Sequence, residues 1–434
     1  MPVLSENGAS RAGVRRIGLA SGVGSTLEFY DFAIYGTAAA LVFGQIFFIS
    51  GDEWFGSFLG LATFAVGFLL TPLGALLFGW IGDRYGRRFS LQLTFVVMGS
   101  STLLMGVLPS YLAIGITAPL LLIGLRMLHG LARGGEIGGA AVLAVEHAPP
   151  HRRGLYGSFA TMGSPLGQLL ANLAFALVLL MPMHAVIDWG WRVPFLIGGF
   201  VLALGVWARR GIDETPEFVA LARGREVPLL AVFRDDWRRL LLAAGVNLGL
   251  NANMFILATF MLSYATAAEP QGLALPRQPI VVGSMIGLLC HAITIVLACW
   301  LSDRVGRKPV MISGAVGALV YALVMFRIAD IGTPLAVGLA VIIGFTIGGF
   351  LWGPLLTYYS ELFTVEQRQS GVGLAFQIGS VLGGGFAPMI ANRLIAATGS
   401  STSVGWYIAA GLLVSLLCLL RLPETAPART RGAR

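Results

Sequence analysis

The stretch Gly82-Asp83-Arg84-Tyr85-Gly86-Arg87-Arg88 returns about 220 residues later as Ser302-Asp303-Arg304-Val305-Gly306-Arg307-Lys308. Each copy lies between two long apolar runs and joins an acid, a turn-forming glycine and several bases. Working outward, further pairs recur in the same order. Glu146, seven residues before Arg153, matches Glu361, seven before Arg368. Gly163-Ser164-Pro165-Leu166-Gly167 matches Gly379-Ser380-Val381-Leu382-Gly383, and Gly190-Trp191 matches Gly405-Trp406. Glu214-Thr215 matches Glu424-Thr425. Ordered matches at a nearly constant offset indicate two parallel copies of one unit, with a site between them.

The 434 residues are 56% hydrophobic and 12% charged, with a mean hydropathy of +0.81. Soluble domains carry about 25% charged residues. This composition excludes a soluble globular enzyme and a disordered chain. The 58 glycines suit transmembrane helices, whose backbones approach closely at small residues. The apolar runs are too long and continuous for a membrane β-barrel. A span needs about 20 mostly apolar residues. Twelve runs qualify: roughly 17–46, 54–81, 90–109, 114–144, 154–181, 191–208, 238–266, 278–301, 309–327, 334–360, 371–396 and 404–421. The expected fold is an all-α membrane protein of twelve transmembrane helices, as two six-helix halves related by pseudo-two-fold symmetry. Residues 1–16 form an N-terminal segment and 17–208 the first bundle. Residues 209–237 form a polar central loop, 238–421 the second bundle and 422–434 a tail.

Most of the 29 basic residues fall on alternate connections: Arg11, Arg15 and Arg16; Arg84, Arg87 and Arg88; Arg152 and Arg153; the 209–239 stretch; Arg304, Arg307 and Lys308; Arg368; and the C-terminus. The positive-inside rule then places both termini of this multi-pass membrane protein in the cytoplasm. The net charge of +8 sits in these short clusters, so no nucleic-acid partner is expected. Cys290, Cys299 and Cys418 lie inside apolar runs with neither metal spacing nor a disulfide framework. No signal peptide is expected, because the first apolar run is too long and contains Glu28 and Asp31. The sequence holds no metal cluster, no phosphate-cradling loop and no catalytic constellation. The expectation is a non-enzyme without cofactor or metal, driven by a gradient rather than by ATP.

The duplicated loop has a physical use as a breakable latch. Asp83 can sit at a neighbouring helix N-terminus, where the dipole favours an anion, and Arg87 can pair with Glu146. Such pairs hold one conformation and release in another. The gating set is therefore Gly82, Asp83, Arg84, Gly86, Arg87, Arg88, Glu146 and Arg153, with Asp303, Arg304, Gly306, Arg307, Glu361 and Arg368 as its copy. The alternative is a basic loop that only sets topology.

Charges inside the spans cost about 2.5–3.5 kcal/mol each on insertion scales. Span one holds Glu28 and Asp31, three residues apart on one face and roughly 16–21 Å deep by helical rise. In span four, Arg126, His129, Arg133 and Glu136 follow an i, i+3, i+7, i+10 stripe. This pattern predicts a buried ion network. Its functional use is proton binding, by carboxylates that alternate between paired and protonated states; its structural use is a salt bridge between the two spans. Asp31 and Glu136 are the expected coupling acids, with Glu28 beside them and Arg133 as the competing cation. Polar ligand contacts are expected from Tyr30, Tyr35, Gln168, Asn247, Asn251, His291, Gln377 and Trp352. Each of these also suits helix–helix contact.

The duplicated motif, twelve spans and long central loop resemble the major facilitator superfamily over nearly the whole chain. A narrower set is similar to the metabolite:proton symporters. It comprises Glu28-Phe29-Tyr30-Asp31-Phe32, Tyr35-Gly36, Arg126, Gly134-Gly135-Glu136-Ile137-Gly138-Gly139, Trp189-Gly190-Trp191-Arg192-Val193-Pro194-Phe195 and Glu214-Thr215-Pro216-Glu217-Phe218. Members carry shikimate, α-ketoglutarate, citrate, proline or betaine, and the stretch from Gly36 to Gly44 looks closest to the shikimate type. Family members often have Gln where this chain has His129. The resemblance implies a monomeric symporter, embedded in lipid, that couples proton flow to uptake of a small polar organic acid by alternating access. Arg126, near the midplane, would hold the substrate carboxylate through its planar fork. The alternatives are an osmolyte symporter, disfavoured by a short C-terminal tail, and a non-transporting membrane sensor, disfavoured by the lack of an appended soluble domain.

Overall fold

The computed structural model describes residues 11–48, 53–85, 87–146, 148–209, 236–364 and 368–426. Within these residues every regular element is a helix. The helices follow the twelve apolar runs in order. Span one is Arg11–Leu41, followed by the short Phe43–Ile46. Span two is Glu53–Leu69 with Thr71–Tyr85, span three Arg87–Val107, and span four Thr117–Gly134 with Ile137–Glu146. Spans five and six are Arg153–Val178 and Arg192–Arg209. The second half runs Trp237–Thr266, Arg277–Val305, Arg307–Ala329, Pro334–Leu362, Ser370–Thr398 and Thr402–Arg421. The expected central loop lies almost wholly outside the described residues.

Among the described residues, eight helices are long and apolar enough to cross a membrane by length and composition alone. Spans one, four and six are not among them, and in spans one and four ionisable residues dilute the hydropathy. In span three the apolar part is the shorter Gln92–Val107. Exposed Phe200, Ile293, Val320 and Trp406 lie on the outer surface, where hydrocarbon rather than water would be the solvent.

Packing repeats as the sequence does. Span one lies along span five as seven lies along eleven. Three packs on six as nine packs on twelve, and two packs on four as eight packs on ten. The repeated glycine pairs explain the first of these matches. A Cβ on Gly167 would stand 2.5 Å from the Thr26 carbonyl oxygen of span one, and one on Gly379 2.5 Å from that of Ala244 in span seven. Only glycine permits that approach of two backbones. The halves meet where span five packs against eight and ten, and where span eleven packs against two and four.

One expectation is corrected. The stripe from Arg126 to Glu136 is not continuous, because span four breaks after Gly134 and resumes at Ile137. The turn tightens there, with the Glu136 amide donating to the Arg133 carbonyl at 3.2 Å and the Gly139 amide to the Glu136 carbonyl at 3.1 Å. Side chains at the break would not fit. A Cβ on Gly134 would stand 2.8 Å from the Ala75 amide nitrogen, and one on Gly135 2.5 Å from the Phe78 Cβ. Close packing on span two therefore accompanies the break, and Glu136 sits in the turn rather than in the helix that carries Arg126, His129 and Arg133.

Candidate functional site

Glu28, Asp31, Arg126, His129, Arg133 and Glu136 are all buried. Spans one and four bring their side chains together between apolar neighbours. Asp31 is held on both oxygens: Thr102 of span three donates to Oδ1, and His129 Nε2 meets Oδ2. Arg133 Nε approaches Glu28 Oε1 at 3.3 Å, an ion pair without hydrogen-bond geometry. Arg126 Nη1 lies 3.3 Å from His129 Nδ1. Both guanidinium groups also stack on rings. Arg126 Cζ is 4.1 Å from the Tyr35 centroid and 4.4 Å from that of Phe32, and Arg133 Cζ is 3.8 Å from the Phe32 centroid. Cation–π attraction offsets only part of the desolvation of a buried cation. Arg126 Nε and Nη2, and Arg133 Nη1, have no hydrogen-bond partner among the described residues.

A narrow cavity lies beside this cluster, between the halves. Arg133, Gln168, Asn251 and Trp352 line it, with Phe32, Phe64, Phe255 and Phe376 as apolar wall. A second, smaller chamber is lined by Ser25, Glu28, Thr161 and Leu356. Phe29, Trp352 and Phe376 border both. They form an aromatic partition, with Trp352 edge-on to Phe29 at 6.4 Å and to Phe376 at 6.0 Å. Arg133 belongs to the cavity and its ion-pair partner Glu28 to the second chamber.

Other expected contacts lie off the cavity wall. Tyr30 donates to the Pro194 carbonyl at 2.9 Å, and Tyr35 to Thr63 at 2.6 Å. Asn247 donates to the Phe376 carbonyl at 2.8 Å, and His291 Nδ1 bonds the Phe345 carbonyl at 2.7 Å. Gln377 is buried, and neither its amide nitrogen nor its oxygen has a hydrogen-bond partner among the described residues. Arg126 stands behind the Phe32 and Phe64 rings, not on the wall. Sequence reasoning missed Thr37, Thr102, Ser164, Asn172 and Thr259. Ser164, Gln168 and Asn172 are spaced i, i+4, i+8, a polar stripe on span five that helical periodicity could have revealed.

The second copy of the duplicated loop holds its acid, its glycine turn and its first base in defined contacts. Asp303 accepts hydrogen bonds from the Gly154 and Leu155 amides at 2.8 and 2.9 Å, at the N-terminus of span five. This joins the two halves through an anion on a helix dipole. Arg307 reaches Asp303 at 2.6 Å and both Glu361 oxygens at 3.1 and 3.2 Å. Gly306 turns the loop at φ 107°, a conformation that favours glycine. The repeated Glu-Thr pair acquires a role here. Glu424 accepts from the Arg307 and Lys308 amides at 2.9 and 3.0 Å, and Thr425 donates to Glu361 at 2.8 Å. Arg304 stacks on Trp300 instead. Arg153 begins span five, and Arg368 begins the helix that leads into span eleven. Gly86 and the side chains of Asp83, Arg84, Arg87, Arg88 and Glu146 lie outside the description, as does any side-chain environment of Gly82.

Asp303→Asn keeps the shape of the latch and removes its charge. We expect net transport to slow about tenfold, since an anion at a helix end and beside a cation is worth roughly 1–2 kcal/mol. Equilibrium substrate affinity stays within a few-fold. Loss of all substrate binding in the folded variant would place Asp303 in the binding site instead.

Comparison with known proteins bears on this arrangement. A Sugar (and other) transporter model matches residues 19–236, and a Major Facilitator Superfamily model matches residues 248–434. The chain is 37% identical over 412 residues to the inner membrane metabolite transport protein YhjE of Escherichia coli K12, covering 94% of this chain and 93% of that one. It is 36% identical over 430 residues to the shikimate transporter of the same organism, covering 97% of each. Its fold matches the proton:xylose symporter XylE bound to 6-bromo-6-deoxy-D-glucose, with a TM-score of 0.76 at 19% identity, over 96% of this chain and 97% of that one. Both halves are matched and the relatives span nearly the full length, so the chain belongs to the major facilitator superfamily, as a membrane transporter of the metabolite:proton symporter type.

Proposed function

We propose that this transporter couples inward proton flow to uptake of a small organic acid, shikimate-like or a di- or tricarboxylate, by alternating access. The observation that carries this reading is Arg133: a buried guanidinium on the cavity wall with an unfilled hydrogen-bond donor. An anion is what satisfies such a group. Gln168 and Asn251, with Ser164 and Asn172, offer hydrogen bonds to hydroxyls or further carboxylates, and the phenylalanine wall accepts the carbon skeleton.

Proton coupling follows from charge balance. Three carboxylates, Glu28, Asp31 and Glu136, share one buried cluster with two guanidiniums, Arg126 and Arg133. An anion arriving beside them enlarges the acid excess, and a proton on one carboxylate cancels it. In a low-dielectric site each event therefore favours the other. By the positive-inside rule we put the arginine-rich end of the bundle in the cytoplasm, in an inner-membrane monomer. The Asp303 latch and the Phe29–Trp352–Phe376 partition would open between cavity and cytoplasm, with Glu28 on the inner side of that partition.

The test is uptake into proteoliposomes, over shikimate, α-ketoglutarate, citrate, benzoates, proline and betaine. A carboxylate should accumulate under an inward proton gradient and leak away when a protonophore is added. Accumulation indifferent to both would sink proton coupling, and preference for proline or betaine would sink the organic-acid assignment.

A further inference from the structure

His129 contacts Arg126 through one ring nitrogen and Asp31 through the other. A guanidinium has donors and no acceptor. Nδ1 can therefore face Arg126 Nη1, at 3.3 Å, only as a bare lone pair. The ring proton is then on Nε2 and points at Asp31 Oδ2. Thr102 supplies the second hydrogen bond to Asp31, on Oδ1, so this arrangement suits the carboxylate form.

We propose that His129 is a positioning residue, locked as the neutral Nε2–H tautomer, that transmits the charge of Asp31 to Arg126. The inference rests on the proton-coupled, anion-binding reading above. The charged groups that act on the ring are Asp31 of span one and Arg126 and Arg133 of its own span. Span three adds Thr102, which holds the far oxygen of Asp31. A second proton on the imidazole would have to point from Nδ1 at Arg126, cation against cation. The proton therefore goes to Asp31. Once protonated, Asp31 accepts Nε2–H only as a neutral carboxyl, a weaker bond, and Arg126 loses the counter-charge that reached it through the ring.

Arg126 then has its stacking on Tyr35 and Phe32, and Nε and Nη2 still lack partners. Phe32 lies on the cavity wall. An anionic substrate in the cavity becomes the available counter-charge, so proton binding at Asp31 prepares Arg126 for the substrate. No bond other than those to hydrogen changes. One proton moves from solvent to a carboxylate oxygen, and the imidazole keeps the proton it has.

Gln can make the same bridge without titrating, since its amide oxygen accepts from Arg126 while its amide nitrogen donates to Asp31. Leu can do neither. Under an inward proton gradient, His129→Leu should lower accumulation at least tenfold while substrate exchange continues. His129→Gln should restore accumulation to within about threefold of the wild type, with the wild-type pH profile. Exchange by both variants reports that they fold. If His129→Gln fails as completely as His129→Leu, the imidazole itself carries the proton and the proposal is overturned.

A second measurement does not depend on transport. Nitrogen NMR of the purified full-length protein, labelled at its five histidines, reads the tautomer directly, and the signal lost in His129→Gln assigns it. A bare Nδ1 with protonated Nε2 supports the bridge; the opposite tautomer or an imidazolium at neutral pH overturns it. If the wild type ignores the proton gradient, the symport reading falls, and this spectrum still decides the bridge.

Discussion

Asp31→Asn is expected to abolish uphill accumulation while substrate exchange persists. The reasoning begins with the two hydrogen bonds that Asp31 accepts, from Thr102 and His129. Asn has the same shape and can accept from His129 through its oxygen and donate to Thr102 through its amide, so local packing survives. What it lacks is a site that binds and releases a proton. One pH unit is worth about 1.4 kcal/mol, which drives a tenfold accumulation when one proton accompanies each substrate. The variant should bring that ratio to about one, with no response to a protonophore. Exchange needs no net proton movement and should continue. Glu136→Gln is the companion measurement, because Glu136 sits at the tight turn of span four and is buried in the same cluster. If both variants still concentrate substrate with normal pH dependence, the cluster is a salt-bridged scaffold between spans one and four.

The fold was legible because hydrophobic run length and loop charge are strong signals, and because the chain states its architecture twice. The glycine pairs at 163/167 and 379/383 mark where helix backbones touch, and the Glu-Thr pair at 424 marks a brace on the latch. Each is readable as a repeat before its contact is known. The ion cluster was legible too, since carboxylates and arginines inside apolar runs are rare and conspicuous. Pairings across helices were not. Helical spacing places Glu136 near Arg133, on which its charge acts, but it gives no sign of the ion pair that Arg133 makes with Glu28 of span one. The break at Gly134–Gly135 is set by packing against span two, which one-dimensional periodicity does not carry. Cavity membership was equally hidden. Tyr30, Tyr35 and Asn247 have the right chemistry for a ligand, but each already holds a partner in the protein.

Arg133→Lys is expected to weaken substrate binding about 10- to 100-fold at every pH. Charged hydrogen bonds are worth roughly 1.5–3 kcal/mol each, and Lys replaces a planar fork with a single point charge. Lys also lacks the flat face that Arg133 lays over Phe32 at 3.8 Å, so it would neither stay stacked nor present two parallel donors to a carboxylate. The same change at Arg126 should behave differently. Arg126 is behind Phe32 and Phe64, and its Nη1 is held at 3.3 Å from His129. Its contribution to binding should appear only after Asp31 takes a proton. Arg126→Lys should then weaken binding under acidic conditions and leave the alkaline affinity within a few-fold. Equilibrium binding of the accumulated acid to each purified variant, measured across pH, separates the two. If Arg133→Lys keeps wild-type affinity, the cavity-wall assignment fails. If Arg126→Lys is the weaker binder at every pH, Arg126 is the standing carboxylate partner that the resemblance implied, and the cavity must reshape around Phe32 to admit it.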